Sequence, residues 1–281
     1  MKAGDTRGAP RPPGRTGLSL VLGGGLIGLV VGAALASLVW TPHPPDAIDF
    51  SVQLAGPSLD HPLGTDQFGR DLASRLLVGA RSALAAGALA VTAAGLLGGT
   101  LGLAAGWAGG WADELLMRVV DVLYAFPAIL TALLLAAVFE PGRATATAAI
   151  AVATVPAFAR IARAAALALR QAPFVEAGRA LGVGPFGLIV RYVLPGAAPP
   201  LVVQASLSLS VAILADAALS FLGLGAPPDV VGWGSMLREA QGFLAVSPYP
   251  ALVPGLAIVT TVLGWSLLGD GLRDRLDPTL R

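Results

Sequence analysis

Long runs without a charged residue constrain the fold of this 281-residue chain more than any other feature. A helix needs about 20 apolar residues to cross the hydrocarbon core of a bilayer. Six intervals between charged residues approach or exceed that length, so they predict an all-α polytopic membrane protein with six transmembrane helices. These intervals are Arg15–Asp46, Arg81–Asp113, Asp121–Glu140, Arg143–Arg160, Arg191–Asp216 and Glu239–Asp270.

The composition leads to the same class of protein. Only 12% of the residues are charged, against roughly 25% in an ordinary soluble domain, so the chain is too poor in charge to cover a water-facing surface. Disordered proteins are excluded as well, because they are polar and rich in charge. The net charge of +1 argues against a nucleic-acid partner, which would require an excess of basic residues.

The positions of the basic residues predict the orientation, because Lys and Arg are enriched in short cytoplasmic loops. If the N-terminus is cytoplasmic, thirteen of the 18 Lys and Arg residues fall on the cytoplasmic side. Both termini are therefore expected inside. The predicted parts are a disordered cytoplasmic tail at 1–17, a first transmembrane anchor at 18–40, an extracytoplasmic segment at 41–80, a five-helix core at 81–270 with a large cytoplasmic loop at 171–195, and a cytoplasmic tail at 271–281.

Several kinds of chemistry are missing from the sequence. Its one Lys is Lys2, so it has no phosphate-binding loop of the type G-x-x-x-x-G-K-[ST], whose Lys must reach the nucleotide phosphates. It has no Cys for thiolate chemistry, and its two His residues, His43 and His61, are interpreted as loop residues rather than metal ligands. We therefore expect neither an enzyme nor a bound metal or cofactor in this chain.

Two ionisable residues fall inside or at the edge of predicted spans, where such residues are costly and usually functional. Asp121 is expected either to extend its carboxylate to the membrane surface or to pair with Arg118, three residues earlier on the same helix. Asp216 is the stronger functional candidate, and together with Ser206 and Ser210 it marks a candidate translocation path. A stand-alone secondary carrier that uses one of the two Asp residues is an alternative at this point.

Glycines recur at four-residue spacing in the first two predicted spans. Such spacing lets helix backbones approach closely in lipid. The glycines serve either packing within this chain or a seam for a second membrane subunit. They are Gly24, Gly28 and Gly32 in the first span and Gly98, Gly102, Gly106 and Gly110 in the second.

The segment from His61 to Arg81 has the pattern of an amphipathic helix that leads into the second span. Thr65 or Asp66 is a suitable N-cap, and Asp71 and Arg75 are spaced to pair at i,i+4.

The 171–195 loop has the pattern of two short helices joined by a turn. Gly182 is a typical helix terminator, and a second helix is predicted from Pro185 to Leu194, ending before Pro195. Three apolar residues on one face of the first helix would form a stripe facing the cytoplasm or the lipid surface. They are Phe174, Ala177 and Leu181.

The same loop carries a longer ordered pattern, which begins with Glu176-Ala177-Gly178, continues after three residues with Gly182, and ends after nine more with Tyr192-Val193-Leu194-Pro195. Three further segments carry more polar patterning than a solubilising loop needs. They are His61–Asp71, with His61, Gly64, Asp66, Gly69, Arg70 and Asp71, then Leu219–Gly225, and Gly269–Pro278.

Together these segments resemble the membrane permease subunit of bacterial ATP-binding-cassette importers, in the dipeptide, oligopeptide and nickel group, and specifically the second of its two permease subunits. The coupling motif of that family reads Glu-Ala-Ala, three residues, Gly, nine residues, Ile-x-Leu-Pro, so Gly178 stands in place of its second Ala and Tyr192 in place of its Ile. The resemblance implies a type I importer core that imports peptides, or alternatively nickel or another small peptide-like solute. It implies a homologous permease, two cytoplasmic ATPase subunits that bind ATP and Mg²⁺, and an extracytoplasmic solute-binding protein as partners in the bacterial inner membrane. We expect Glu176 and its neighbours, and Arg70, Asp71 and Arg75 on the other side, to lie where the chain meets these partners.

Overall fold

The computed structural model describes residues 15–225, 227 and 230–276, and within these ranges it is helical with one isolated β-bridge between Thr65 and Asp71. The prediction of an all-α fold is confirmed. Most of the predicted N-terminal tail and the last five residues of the C-terminal tail lie outside the described residues. The helices are α1 (Arg15–Ala36), α2 (Leu72–Ala108), α3 (Gly110–Ala125), α4 (Ala128–Val138), α5 (Arg143–Arg170), α6 (Pro173–Ala180), α7 (Pro185–Leu188), α8 (Leu194–Phe221), α9 (Trp233–Ala240) and α10 (Tyr249–Leu276).

Five of the described helical stretches are long and apolar enough to cross a membrane. The third of the six predicted spans is not one helix, because the chain breaks between α3 and α4 at Phe126 and Pro127. Proline has no N–H to donate and disfavours helical geometry in the residue before it, and Phe126 is accordingly extended, with φ −87° and ψ 125°. A count of six single-helix spans is therefore not confirmed. The five stretches are Gly17–Ala36, Leu72–Ala108, Arg143–Arg170, Pro185–Phe221 and Tyr249–Leu276.

Several helix ends differ from the predicted span limits. α1 ends at Ala36 rather than Trp40. α2 begins at Leu72 and continues through Arg75 and Arg81 without a break, so the helix that contains the second predicted span starts before it. At the other end of the chain, α10 extends into the predicted tail as far as Leu276.

The predicted helix end before Pro195 is also wrong, because one helical stretch continues from Pro185 to Phe221. A single π-helical turn, Ile189–Val193, joins α7 to α8, and the Leu194 N–H bonds to the Ile189 carbonyl. This wider turn places Pro195 in the first turn of α8. A missing N–H is tolerated at that position.

The four-residue glycine spacing of α2 serves packing within the chain. An added Cβ atom at Gly98, Gly102 or Gly106 would lie 2.4, 2.1 or 2.7 Å from a backbone carbonyl oxygen of α5. The two helix backbones thus approach as closely as glycine allows, and Ala90, Ala94, Ala149 and Phe158 continue the same buried contact. In α1, by contrast, the sites of Gly24, Gly28 and Gly32 are open.

We predict that Gly102→Leu will destabilise the helix pair by about 1–3 kcal/mol or more, as overpacking generally does. The new side chain would have to displace the Ala159 carbonyl, which belongs to the backbone of α5 and cannot rotate away. Thermal unfolding of the purified chain in detergent measures the loss. Gly24→Leu is the matched control, because nothing lies within 4 Å of its added Cβ, and equal Tm values for the two variants would contradict the prediction.

Candidate functional site

The 171–195 loop forms α6, a tight turn and α7. Pro173 and Pro185 stand in the first turns of the two helices. Gly182 has a φ of +81°, a left-handed conformation that glycine adopts without the steric cost borne by other residues. The turn is closed by hydrogen bonds from the Gly182 N–H to the Arg179 carbonyl, at 3.0 Å, and from the Val183 N–H to the Gly178 carbonyl, at 3.1 Å. The predicted helix–turn–helix is therefore confirmed.

One face of this loop is buried against the rest of the chain and the other is bare. Val175, Leu188 and Val193 are almost fully buried and anchor the loop. On the other face the exposed fractions are 48% for Phe174, 84% for Leu181 and 80% for Phe186, and Glu176, Ala177 and Gly182 are exposed with them. Phe174 contacts Tyr192 at one edge of this face, while Leu181 and Phe186 are more exposed than Phe174.

A cleft of about 540 Å³ separates the loop from the adjoining ends of α2 and α5, and Glu176 lines it together with basic residues. Arg170 donates to the Trp107 carbonyl at 3.1 Å, and the Arg179 guanidinium lies 5.9 Å from the centroid of the Trp107 ring. The motif glutamate thus faces a cleft with positive charge on two sides.

At the opposite end of the bundle, charged residues form an internal network. We name Asp66, Arg70, Arg75 and Glu239 the cap cluster. Arg70 Nε donates to Asp66 Oδ2 at 2.6 Å and its Nη2 donates to Glu239. Arg75 Nη2 lies 3.3 Å from Glu239 Oε2 and its Nε 3.7 Å from Asp66 Oδ2. The cluster joins the 41–71 segment and the start of α2 to α9.

We expected Arg70, Asp71 and Arg75 to face a partner, and this expectation is wrong for Asp71 and Arg75. Asp71 and Arg75 are only 2% and 3% exposed. Buried charges are generally paired, and the partners of these two residues lie inside this chain. Glu239, which completes the cluster, lies 164 residues from Arg75 in sequence and had no local signal.

The predicted Asp71–Arg75 pair and the predicted N-cap at Thr65 or Asp66 are both wrong. Asp71 itself caps α2, and its Oδ2 accepts from the Ser74 N–H at 2.7 Å. Asp66 instead closes a turn by accepting from the N–H groups of Phe68 and Arg70 at 2.8 and 2.9 Å.

Two glycines of the 61–71 motif make this turn possible. Gly64 and Gly69 have φ values of +84° and +73°. A Cβ at Gly69 would lie 1.8 Å from the Asp49 carbonyl oxygen, so the 41–71 segment passes over it in close contact.

Asp121 does not pair with Arg118 as predicted. Its Oδ1 accepts from Arg160 Nη2 of α5 at 2.6 Å, while Arg118 bonds to Glu114 at 2.7 Å. A second link joins the same helices, because Asp113 accepts from Arg163 Nε and Nη2 at 2.6 and 2.7 Å. These hydrogen bonds lower the pKa of Asp113, so this link holds at neutral pH and is lost only as the pH falls through the lowered pKa.

The candidate path residues and the neighbouring Ser208 lie along α8 and differ in their hydrogen-bond partners. Ser206 donates to the Val202 carbonyl within its own helix, and Ser208 accepts from Gln204 at 3.0 Å. Ser210 donates to the Val262 carbonyl of α10 at 3.2 Å. Asp216 lies half-buried about two turns further along α8.

The geometry is that of a helical membrane bundle with an internally paired cap at one end and an exposed helix–turn–helix at the other. Residues 98–281 match the family model described as the binding-protein-dependent transport system inner membrane component. The chain belongs to this family. The matched range includes the whole 171–195 loop and most of the helices on either side of it.

Named relatives of this transport-system component are similar to it over more of the chain than residues 98–281. The glutathione transport system permease protein GsiD of Pectobacterium atrosepticum is 44% identical over 259 residues, 90% of this chain and 86% of the relative. The protein of the same name from Escherichia coli O157:H7 is 44% identical over 80% of this chain and 75% of its own. The dipeptide transport system permease protein DppC of Alkalihalophilus pseudofirmus is 44% identical over 82% of this chain and 76% of its own.

A solved structure supports the fold of the permease. The inward-facing MetNI methionine ABC transporter contains a chain that superposes with a TM-score of 0.59, covering 72% of this chain and 96% of its own, at 19% sequence identity. The helical arrangement is therefore that of an importer permease core, as the sequence predicted.

The two departures from the family motif, Gly178 and Tyr192, are in contact with each other. A Cβ at Gly178 would lie 3.3 Å from Tyr192 Cε2 and 2.9 Å from Leu188 Cδ2. Tyr192 also packs beside Phe174, with ring centroids 6.3 Å apart. The missing methyl group therefore makes room for the larger ring, and each departure accommodates the other.

We predict that Gly178→Ala alone will loosen the loop by about 1 kcal/mol, because the clash outweighs the gain of about 1 kcal/mol in helix propensity. Combined with Tyr192→Ile, the same change is expected to cost less than it does alone, because the contact with the ring at 3.3 Å is relieved while the contact with Leu188 Cδ2 at 2.9 Å remains. Hydrogen exchange at the α6 amides measures both variants. Gly184→Ala is the control because its site is open, and slower exchange in the single variant would contradict the prediction.

Proposed function

We propose that this chain is a membrane permease subunit that imports di- or oligopeptides with energy from separate ATPase subunits. The names of its 44% identical relatives, a glutathione and a dipeptide permease, support the class of cargo. The chain carries no phosphate-binding loop, which supports the assignment of ATP and Mg²⁺ to partners. The family consists of permease subunits that are not themselves catalytic.

The observation that carries this proposal is the bare apolar face of the 171–195 loop. Phe174, Leu181 and Phe186 are large, exposed and held on a rigid helix–turn–helix. Exposed apolar patches rimmed by polar residues are typical of protein interaction sites. In the proposed complex this face docks on an ATPase subunit, and Glu176, Ala177, Gly178, Gly182, Leu194 and Pro195 form the coupling motif.

In this proposal the chain lies in the inner membrane of a bacterium with both termini cytoplasmic. The concentration of Lys and Arg in the 171–195 loop and near the termini supports that orientation. The cap cluster then lies outside, where a solute-binding protein delivers cargo. A homologous permease completes the path, to which Ser206, Ser210 and Asp216 contribute from α8, and two ATPase subunits complete the complex.

Reconstitution into proteoliposomes tests the proposal. This chain is combined with the second permease, the ATPase subunits and the binding protein encoded beside it, and uptake of a labelled dipeptide and of labelled glutathione is measured with and without ATP. We expect peptide uptake that requires ATP, the ATPase and the binding protein together.

Two outcomes would contradict specific parts of the proposal. Uptake of nickel without uptake of either peptide would replace the cargo class and retain the ATP-driven mechanism. Uptake by this chain alone under an ion gradient would instead support a stand-alone carrier, for which Asp216 is the candidate ionisable group.

A further inference from the structure

Two histidines and one aspartate meet at the N-terminus of α2, outside the cap cluster. His43 follows α1, His61 lies in the 41–71 segment, and Asp71 caps α2. One ligand atom from each of the three side chains lies within 4.8 Å of the other two. The sequence predicts both histidines to be loop residues, because no carboxylate lies near either of them at the spacing typical of metal ligands. The fold brings Asp71 next to both rings.

The His61–Asp71 contact is a hydrogen bond when no metal is bound, and the separations of both histidines from Asp71 are also short enough for ligands of one ion. Asp71 Oδ1 is 3.0 Å from His61 Nδ1 and 3.9 Å from His43 Nδ1. Two atoms that bind zinc tetrahedrally, each about 2.0–2.1 Å from the metal, lie roughly 3.3 Å apart. The two observed separations bracket that value, and the second is too long for a hydrogen bond.

His43 supplies the independent observation. Its Nδ1 atom is buried, although the ring is partly exposed, and it has no hydrogen-bond partner among the described residues. Buried polar atoms are rarely left unpaired, and water or an ion is a common partner for one that no residue of the chain satisfies. The His43 and His61 rings also lie against each other, with centroids 4.6 Å apart, so the two imidazoles already converge.

The surrounding residues hold these side chains in place. Asp71 Oδ2 accepts from the N–H and the Oγ of Ser74, both at 2.7 Å, which leaves Oδ1 directed at the histidines. The backbone N–H of His43 donates to the same Ser74 Oγ at 2.9 Å. Hydrogen-bonded outer residues of this kind orient the ligands of metal sites.

We propose that His43, His61 and Asp71 form a binding site for a divalent transition-metal ion such as zinc. Imidazole nitrogens and a carboxylate suit zinc, nickel and copper rather than calcium or magnesium. Binding requires each histidine to keep its ring proton on Nε2, so that Nδ1 offers a lone pair. The ion would tie the end of α1, the 41–71 segment and α2 together, and this role is independent of the transported cargo.

Zinc titration of the purified full-length chain tests the site. The chain carries an affinity tag without histidine, is stripped with a chelator, and is titrated with Zn²⁺ against a chromophoric indicator. The sequence is favourable for this experiment because it has two His and no Cys. We expect one equivalent of zinc per chain, a higher Tm with zinc, and a visible Co²⁺ absorption band typical of tetrahedral coordination.

His43→Ala is the decisive variant, because the described structure gives the His43 ring no hydrogen bond and its removal leaves the His61–Asp71 contact intact. We expect zinc affinity to fall by about 100-fold or more, the upper end of the loss seen when outer-shell partners are removed, with an unchanged Tm in the absence of metal. Asp60→Asn, at an exposed carboxylate beside His61, is expected to bind zinc normally. No stoichiometric zinc in the unmodified chain, or equal affinity in the His43→Ala variant, would overturn the proposal.

Discussion

Replacing both Glu176 and Gly182 with Ala is expected to reduce ATP-driven uptake by about 10-fold or more while ATP hydrolysis by the complex continues. Glu176 is exposed in the first turn of α6 beside a basic cleft, and Gly182 holds the left-handed turn between α6 and α7. An Ala in that conformation costs about 1–2 kcal/mol, so the relative positions of Leu181 and Phe186 change. A loss of this size lies within the usual range of coupling free energies, about 1–3 kcal/mol.

Uptake and ATP hydrolysis are measured in the same proteoliposomes, so that uncoupling is distinguished from loss of assembly. The matched control replaces Glu114 and Gly184 with Ala. Glu114 is exposed and bonds only to Arg118 on its own helix among the described residues, and Gly184 has a φ of −64° with open space at its Cβ. Uptake that is unchanged in the Glu176 and Gly182 variant would count against the loop as the coupling element.

Replacing Glu239 with Ala is expected to destabilise the chain by about 3 kcal/mol, the lower end of the loss seen when one partner of a buried ion pair is removed. Glu239 accepts from Arg70 and lies 3.3 Å from Arg75. Arg75 is 3% exposed and its remaining carboxylate partners are 3.7 and 3.9 Å away. The variant therefore removes the nearest counter-charge of a buried guanidinium and leaves only the longer ion pairs with Asp66 and Asp46.

Unfolding in detergent gives the stability change, and limited proteolysis of the 41–71 segment locates it. Glu114→Ala removes an exposed i,i+4 ion pair of α3 and is expected to cost no more than about 0.5 kcal/mol. If Glu239→Ala costs no more than that control, the cap cluster does not hold α9 to the 41–71 segment.

Spacing between charges predicted the membrane helices well because unpaired charges are expensive in lipid. The method does not show where a charge is paired over a long distance. Arg75 is buried within α2 with Asp66 and Glu239 close to its guanidinium, and no local pattern shows that pairing. The method also missed the helix break at Pro127. The proline is visible in the sequence, but a count of residues between charges takes no account of it.

The 171–195 loop was predictable because Pro173, Gly182 and Pro185 mark its helix ends through backbone conformation alone. Side-chain partners were not predictable in the same way. The i,i+3 and i,i+4 partners expected for Asp121 and Asp71 exist as neighbours in sequence, yet Arg160 and His61 bind them instead. A pair at i,i+3 or i,i+4 stabilises a helix by only a few tenths of a kcal/mol. Ion pairs and hydrogen bonds between different segments of the chain outweigh that gain.

The unbroken helix from Pro185 to Phe221 has a mechanical consequence. Its 37 residues span about 55 Å at 1.5 Å per residue, and the π turn at Ile189–Val193 widens this helix without ending it. The exposed Phe186 is therefore joined to Asp216 and Phe221 by continuous helical backbone. We expect a displacement at Phe186 to reach the far end of α8 without crossing a loop.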